Sequence, residues 1–372
     1  MNVIYGVFKT ILYYMMVFVF YYFIKKRQNK KVVIKWESHR KMYDSKSVGL
    51  FQALLYAFAF GTYAVYITAE VLTNDRKNYA HSYLIDRELT PAVNLIFDFW
   101  RNITDNPKVL FFTFSFIMLF LILIACRENK QFLPKAFSLM VASNLLIFSY
   151  NGLKQAPAIA FVAIGISLWL EKKYAVSLIC IALAISFHES ALVAIPMIIL
   201  LVGAKKRWVR VVEYVVLALF VVAFPTMTQL VTKLLGIIDL SVLEEVDSYL
   251  DEDGGLISGF NMFTAIKGMP FYLISSYGLL CRKKLKDKIN HYDKYLVMSI
   301  FASAMFVLST YMYWMFRFGI YFYFFAFIFA AQLIRESANK KMANRFYYTV
   351  LMLFLLINIR YYLQYFMNYG GF

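Results

Sequence analysis

Polar residues are not spread evenly along this chain. They gather in short clusters between long apolar blocks, and the blocks are too long and too regular for the alternating pattern of a half-buried strand. Read as helices, the blocks fall roughly at 3–24, 49–69, 109–126, 136–150, 156–170, 174–187, 190–203, 211–227, 263–281, 294–313, 318–334 and 346–366. Blocks of this kind predict an all-α polytopic integral membrane protein with about 12 transmembrane helices. The whole chain, 1–372, is expected to form a single transmembrane domain. Ile4–Ile24 is long enough to span, and Lys25, Lys26 and Arg27 stop it, so it is expected to stay as an anchor rather than act as a cleaved signal.

Composition sharpens this. Of 372 residues, 61% are in the hydrophobic set and 16% are charged, far from the balance of a soluble domain. A net charge of +17 would suggest nucleic acid in a soluble protein. Here it must be read by location, because basic residues accumulate in cytoplasmic loops. If the loop after the first block is cytoplasmic, the outer side carries only Arg76, Lys77, Arg87, Arg101, Lys108, Lys154, Lys233 and Arg317. That imbalance sets the orientation, puts both termini outside, and needs no nucleic acid. Cys126, Cys180 and Cys281 fall at inner helix ends or inside an apolar block, so neither disulfides nor a cysteine metal site is expected.

Two outer segments are long: 70–108 and 228–262, the second rich in acidic residues. Long connections in an otherwise tight chain are usually functional or disordered. No internal repeat relates the two halves, and no soluble catalytic domain is present, so any chemistry belongs at the membrane.

The stretch FSYNGLKQAPAIAFVAIG, 148–165, sets Asn151, Lys154 and Gln155 directly before Pro157. The blocks at 156–170, 174–187 and 190–203 are only about 21 to 23 Å long as helices, short of the ~30 Å hydrocarbon core. Their outer ends are therefore expected to lie below the surface. Pro157 suits the first turn of a helix, whose positive end then opens outward beside Lys154, with Asn151 and Gln155 one turn apart. Such a terminus attracts anions, phosphates above all. The competing reading is a polar hairpin with Lys154 at the interface.

The next outward turn, SFHESALVAIP, places His188 and Glu189 at the same recessed rim. A neutral imidazole there is a candidate proton acceptor, oriented by Glu189 or a backbone carbonyl. Both residues could instead cap a helix end, with Ser190 starting the next helix. In YMYWMFRFGIYFYFF, 311–325, interfacial belts account for most aromatics but not for Arg317, whose guanidinium can fork onto a phosphate. The segment 73–102 carries Asp75, Arg76, Tyr79 and Arg101 among mixed charges, as a solvated loop also would. Asp251, Glu252 and Asp253 before a Gly pair could suggest oxygen ligands for a metal, but a flexible acidic loop on the outer side is the default, and no metal is assigned.

Taken together, NGLKQAPAIAFVAIGISLWLEKK, FHESALVAIPMIIL and Arg317 with Phe318, Tyr321 and Phe322 resemble the Wzy/EpsG-type polysaccharide polymerases of bacterial inner membranes. In that family an Asn-x-x-Arg-Gln stretch opens one helix and a Phe-His-x-Ser-Ala turn follows about 30 residues later. NDRKNYAHSY, 74–83, is similar to the family's first outer-loop stretch. Lys154 stands where the family usually has Arg, and Arg76 where it has Tyr.

The resemblance implies a GT-C-like fold with two long periplasmic loops. It implies glycosyl transfer between undecaprenyl-diphosphate-linked donor and acceptor glycans at the periplasmic face, with the lipid bilayer and a chain-length regulator as partners and with no cofactor. In the mechanism it suggests, Arg317 and Lys154 meet the charge developing on the diphosphate, helped by Asn151 and Gln155. His188 is the first choice for general base and Asp75 the second, while Glu189, Arg76, Tyr79, Arg101 and Tyr321 line the substrate. Two other functions share these features: an O-antigen ligase, with the same donor and compartment, and a non-enzymatic flippase, which would favour charges inside the membrane and a two-halves repeat.

Overall fold

The computed structural model describes residues 2–29, 31–37, 40–45, 49–68, 74–126, 131–204, 206, 211, 262–310 and 315–367. Helices dominate: α1 (Asn2–Asn29), α2 (Leu50–Thr68), α3 (Asn74–Leu84), α4 (Pro91–Arg101), α5 (Lys108–Ala125), α6 (Leu133–Ala142), α7 (Leu145–Phe148), α8 (Gln155–Leu170), α9 (Tyr174–Phe187), α10 (Ala194–Gly203), α11 (Met262–Leu285), α12 (Tyr292–Leu308), α13 (Phe316–Gly319), α14 (Tyr323–Glu336) and α15 (Lys340–Met367). Eleven of the twelve apolar blocks carry a helix, and the block at 211–227 lies almost wholly outside the described residues. The acidic segment 228–262 lies outside them too, apart from Met262.

Two features add to the sequence expectation. A two-stranded antiparallel hairpin, β1 (Lys31–Glu37) and β2 (Arg40–Ser45), interrupts the all-helical pattern, with Lys31 opposite Ser45 and Glu37 opposite Arg40. Its first strand reads KVVIKWE, rich in the β-branched and aromatic residues that favour extended chain. The described part of segment 70–108 carries two helices, α3 and α4. In α4 the Thr90-Pro91 start and the burial of Val93 and Phe97, with Leu95 and Phe99 outward, mark a one-sided helix.

The described helices form two compact units, Met1–Pro196 with Phe327–Phe372, and Met197–Ala326. In the first, α5 packs on α2 and α8, α8 on α9, and α15 on α1 and α6. The centre is α8, where Ala158, Ile159, Ala160, Val162, Ala163 and Ile166 are fully buried. Close helix approach depends on small residues: a Cβ on Gly165 would stand 2.9 Å from Ile181 and 3.2 Å from the Ser177 carbonyl. The Ser177 hydroxyl donates to the Gly165 carbonyl across the same crossing at 2.6 Å. Far along the chain, Asn358 Nδ2 donates to the Ala142 carbonyl at 3.0 Å, tying α15 to the end of α6.

In the second unit α11 packs on α12 through three buried serines, Ser275 Oγ lying 3.0 Å from Ser299 Oγ and 2.8 Å from Ser303 Oγ. At the other end of this pair a buried ion pair, Arg282 to Asp293 at 2.8 Å, closes the hairpin.

Large apolar side chains face outward along these helices, including Phe8, Met15 and Phe18 on α1, Ile179 on α9, and Ile199 and Val202 on α10. An aqueous surface does not carry apolar exposure on this scale. Among the described residues, Lys108–Ala125 and Phe316–Glu336 are long and apolar enough to cross a membrane, and Leu50–Val65, Leu133–Ala142, Gln155–Leu170, Tyr174–Phe187 and Glu189–Gly203 are shorter apolar helices. Apolar helices of both kinds point to a membrane protein.

Candidate functional site

The site begins where α7 ends. Asn144 takes a left-handed conformation, φ 66°, and starts the single turn α7. The chain then folds tightly from Ser149 to Lys154, with the amides of Asn151 and Gly152 both donating to the Phe148 carbonyl at 3.0 and 2.8 Å. A Cβ on Gly152 would stand 2.4 Å from the tip of the Phe148 ring, so the ring would have to move to admit one. The turn delivers Gln155 as the first residue of α8, with Lys154 immediately before it and Pro157 inside the first turn, where a missing N–H breaks no helical bond. Gln155 is buried, and Asn151 and Lys154 are half-buried.

His188 ends α9. Its extended backbone, φ −155° and ψ 122°, stops the helix and turns the chain into the short 3-10 segment Glu189–Val193. The ring is buried at 5% exposure. Its Nδ1 accepts from the Ser190 amide at 3.2 Å and lies 2.8 Å from the Ser190 hydroxyl. Gln155 Nε2 reaches the same hydroxyl at 3.5 Å, so the start of α8 and the turn after α9 share one small polar cluster. Glu189, expected to orient the ring, is exposed, and Ser190 stands in that place.

The helices of segment 70–108 close over this end of the unit. Thr90 precedes α4, the position at which a hydroxyl usually caps its own helix. Here it donates instead to the Phe187 carbonyl at 2.9 Å, one residue before His188. From α3, Arg76 Nε donates to the Tyr150 carbonyl, and the guanidinium lies 4.8 Å from the Phe111 ring centre and 5.8 Å from that of Tyr150. At 1% exposure, Arg76 is a strut for the turn that presents Asn151 and Lys154.

Arg101 is engaged in a similar way. Its Nε and Nη2 donate to the carbonyls of Tyr83 and Ser82 at 2.9 and 3.1 Å, capping the end of α3, and its Nη1 pairs with Asp86 and, at 3.2 Å, with Asp98. Burial pushes the Tyr83 hydroxyl above the ordinary tyrosine range against the opposing pull of Arg101, and that hydroxyl donates to the Thr104 carbonyl. Asp75 stands in the first turn of α3, and Tyr79 on the same helix is half-buried.

Arg317 and Tyr321 belong to the second unit. Arg317 lies on α13 and is half-buried, whereas Tyr321 is fully buried in the 3-10 turn Ile320–Phe322. Tyr311, Tyr313 and Trp314 lie outside the described residues. Among the described residues no three His, Cys, Asp or Glu side chains gather as metal ligands, and Asp251, Glu252 and Asp253 lie outside that set.

The structure thus brings together Asn151, Lys154, Gln155, His188 and the helices bearing Asp75, Arg76, Tyr79 and Arg101, all within the first unit. Thr90 is not signalled by the sequence as a partner, and Ser190 is signalled only as the start of the next helix. Ser190 is legible in hindsight, as a hydroxyl two positions after a helix-ending residue, the spacing at which side chains meet a turn's first amide. Thr90 is not, since its helix-capping position predicts a local bond.

Chemically, the cluster offers a helix N-terminus, an ammonium, two carboxamides and an imidazole at one rim. This is a set suited to holding a polyanion while a neutral hydroxyl reacts. The EpsG family matches residues 47–370 of the chain, so the match covers every one of these positions. No curated protein and no solved structure matches it.

Proposed function

The chain belongs to the EpsG family, and from that premise we propose that it polymerises undecaprenyl-diphosphate-linked oligosaccharide repeat units at the periplasmic face of the bacterial inner membrane. Membership of a polysaccharide polymerase family, together with extensive outward apolar surface, supports an enzyme working on lipid-linked sugars in a membrane. The proposal extends the described helices to about twelve crossings, with 70–108 and 228–262 on the periplasmic side.

The observation that carries the reading is the meeting of three chain segments at one end of the first unit: Arg76 to Tyr150, Gln155 to Ser190 and Thr90 to Phe187. Residues separated by as many as 97 positions are held there by hydrogen bonds rather than by apolar packing alone. An enzyme that must release a diphosphate needs such fixed polar groups, because donors that are already oriented cost no reorganisation as charge develops.

In the proposed reaction the hydroxyl of the acceptor sugar attacks the anomeric carbon of the donor. The new C1–O bond forms as the bond to the diphosphate breaks, with inversion in a single displacement. Lys154 meets the negative charge on the departing diphosphate, and Asn151, Gln155 and the N-terminus of α8 add neutral donors. Tyr79 is assigned to sugar contacts. Asp75, on the helix that closes over the rim, is assigned as the group that takes the hydroxyl proton.

The test is purified full-length protein with a synthetic polyprenyl-diphosphate repeat unit and a chelator. Lengthened lipid-linked products are expected, and their absence with an intact, folded enzyme would overturn the polymerase reading. Loss of product specifically on adding chelator would instead refute the metal-free mechanism.

A further inference from the structure

α4 carries more apolar surface than its packing uses. At helical spacing Asn94, Asp98, Arg101 and Asn102 share one side of the segment. That side is satisfied by its own chain: Asn94 Oδ1 accepts from the Leu89 amide at 2.8 Å, Asn102 Nδ2 donates to the Asp98 carbonyl at 2.9 Å, and Arg101 pairs with Asp98. A second side, Val93 and Phe97, is fully buried. The third carries Leu95, Phe99 and Ile103 at successive turns, and these stand 72%, 59% and 61% exposed. Ile103 belongs to the stripe because its amide donates to the Trp100 carbonyl at 2.9 Å, continuing the turn past the end of α4.

The anchoring of α4 indicates what covers that stripe. Its start is fastened by Thr90 to the carbonyl of Phe187, the last residue of α9. The 14 residues of α9 rise about 21 Å, and the charged turn of Glu171, Lys172 and Lys173 keeps its first end at the water boundary. Its last carbonyl therefore falls short of the far side of a ~30 Å hydrocarbon core. The other end of α4 is fastened by Trp100, whose indole Nε1 donates to Thr113 Oγ1 at 2.9 Å. Thr113 lies inside the membrane-long helix α5, about 7.5 Å along its axis from Lys108. Both fixings hold α4 at the depth where acyl chains meet headgroups, a depth at which an indole is common. The apolar surface also continues from there, since α9, on which α4 packs, faces outward through Ile179 and Leu183.

We propose that α4 is an interfacial helix, with Leu95, Phe99 and Ile103 seated among the acyl chains of bilayer phospholipid and with Asn94, Asp98, Arg101 and Asn102 facing water. Helices of this kind lie in the plane of the interface with their apolar side about 5–10 Å deep. Arg101 is paired with Asp86 and Asp98, so the polar side has no surplus positive charge, and apolar area rather than attraction to anionic headgroups holds the helix in place. Seated there, α4 keeps the rim bearing Gln155 and His188 at the depth of a lipid-borne headgroup. The inference rests on the membrane character of the chain and not on its reaction.

Photo-crosslinking tests it. A benzophenone amino acid is placed singly at Leu95, Phe99 or Asp98 of the full-length chain, which is reconstituted in vesicles of phosphatidylethanolamine and phosphatidylglycerol and irradiated. All three positions are exposed, so the probe displaces no packing. Adducts of phospholipid mass are expected at Leu95 and Phe99, severalfold more than at Asp98. An adduct with a second copy of the chain would make the stripe a subunit contact, and equal, weak labelling at all three positions would leave it in water. Transfer of the adduct to a polyprenyl chain, when a polyprenyl-diphosphate repeat unit is added, would assign the stripe to the substrate instead. Each of these three results overturns the proposal, and none depends on whether the chain makes polymer.

Discussion

The hydroxyl of Thr90 donates to the carbonyl of Phe187 at 2.9 Å and so fastens the start of α4 to the residue before His188. Ninety-seven positions separate the two in sequence. The bond satisfies a carbonyl at the end of α9, where helical acceptors otherwise lack partners. It also links the helices of segment 70–108 to the turn that orients the imidazole.

Replacing Thr90 with Val keeps the shape and removes that donor. The expected cost is about 1 kcal/mol of stability, together with a fall of severalfold in polymerisation rate at unchanged expression. Thermal unfolding in detergent and the rate of product lengthening measure the two effects. Full activity in a destabilised Thr90→Val chain would separate this contact from function.

Arg76 behaves as a structural cation. Because it is buried against Phe111 and donates to the Tyr150 carbonyl, Arg76→Met removes a charge-assisted bond and leaves a buried acceptor, at a cost of about 1–3 kcal/mol. Arg76→Lys is expected to rescue it poorly, since an ammonium cannot reproduce the flat stacking of a guanidinium. Melting temperature and yield of folded protein should fall in both. A variant that melts normally yet binds substrate weakly would return Arg76 to the substrate-contacting set.

Lys154 and Arg317 are expected to respond differently to exchange. Lys154→Arg adds a bidentate fork and brings the chain closer to the usual family residue, so polymerisation should be retained or rise. Arg317→Lys loses that fork, and the rate should fall about 10²-fold or more if charge on the diphosphate is being met there. Equal losses in both, measured on the same lipid-linked substrate, would mean that a bidentate fork makes no difference at either position.

Gly165 tests the packing beneath the site. With Ile181 2.9 Å and the Ser177 carbonyl 3.2 Å from where its Cβ would stand, Gly165→Ala must push α8 and α9 apart. Overpacking of this kind costs about 1–3 kcal/mol. Because α8 carries Gln155 and α9 carries the turn to His188, activity should fall with stability, read by unfolding and by polymerisation in parallel. Unchanged stability would mean that the crossing adjusts at no cost.

Much of this organisation is written locally. Long apolar blocks must satisfy their own backbone hydrogen bonds, so helices at eleven of twelve predicted positions follow from periodicity and composition. Pro157 after Lys154 and Gln155 likewise announces a helix start, and the structure begins α8 at Gln155. The hairpin at Lys31–Ser45 was obscured by the density of basic residues, although KVVIKWE carries a strand composition. Within segment 70–108 the mixed charge resembles a solvated loop, while the one-sided spacing of Val93 and Phe97 within α4 is a helical signal.

The roles of single side chains were decided elsewhere. Arg76, Arg101 and Lys154 are all cations in polar segments of the sequence, yet Arg76 supports the Tyr150 turn, Arg101 caps α3, and Lys154 stands before α8. Residue type determines that each is positive; only the folded chain determines which carbonyls and rings each one meets. His188 shows the same division. Its place in a polar turn between two apolar helices was plain from the sequence, whereas the nitrogen that keeps the proton depends on the direction of the Ser190 amide. Hydrophobic period is a property of neighbours along the chain, and the direction of a hydrogen bond exists only after the backbone has turned.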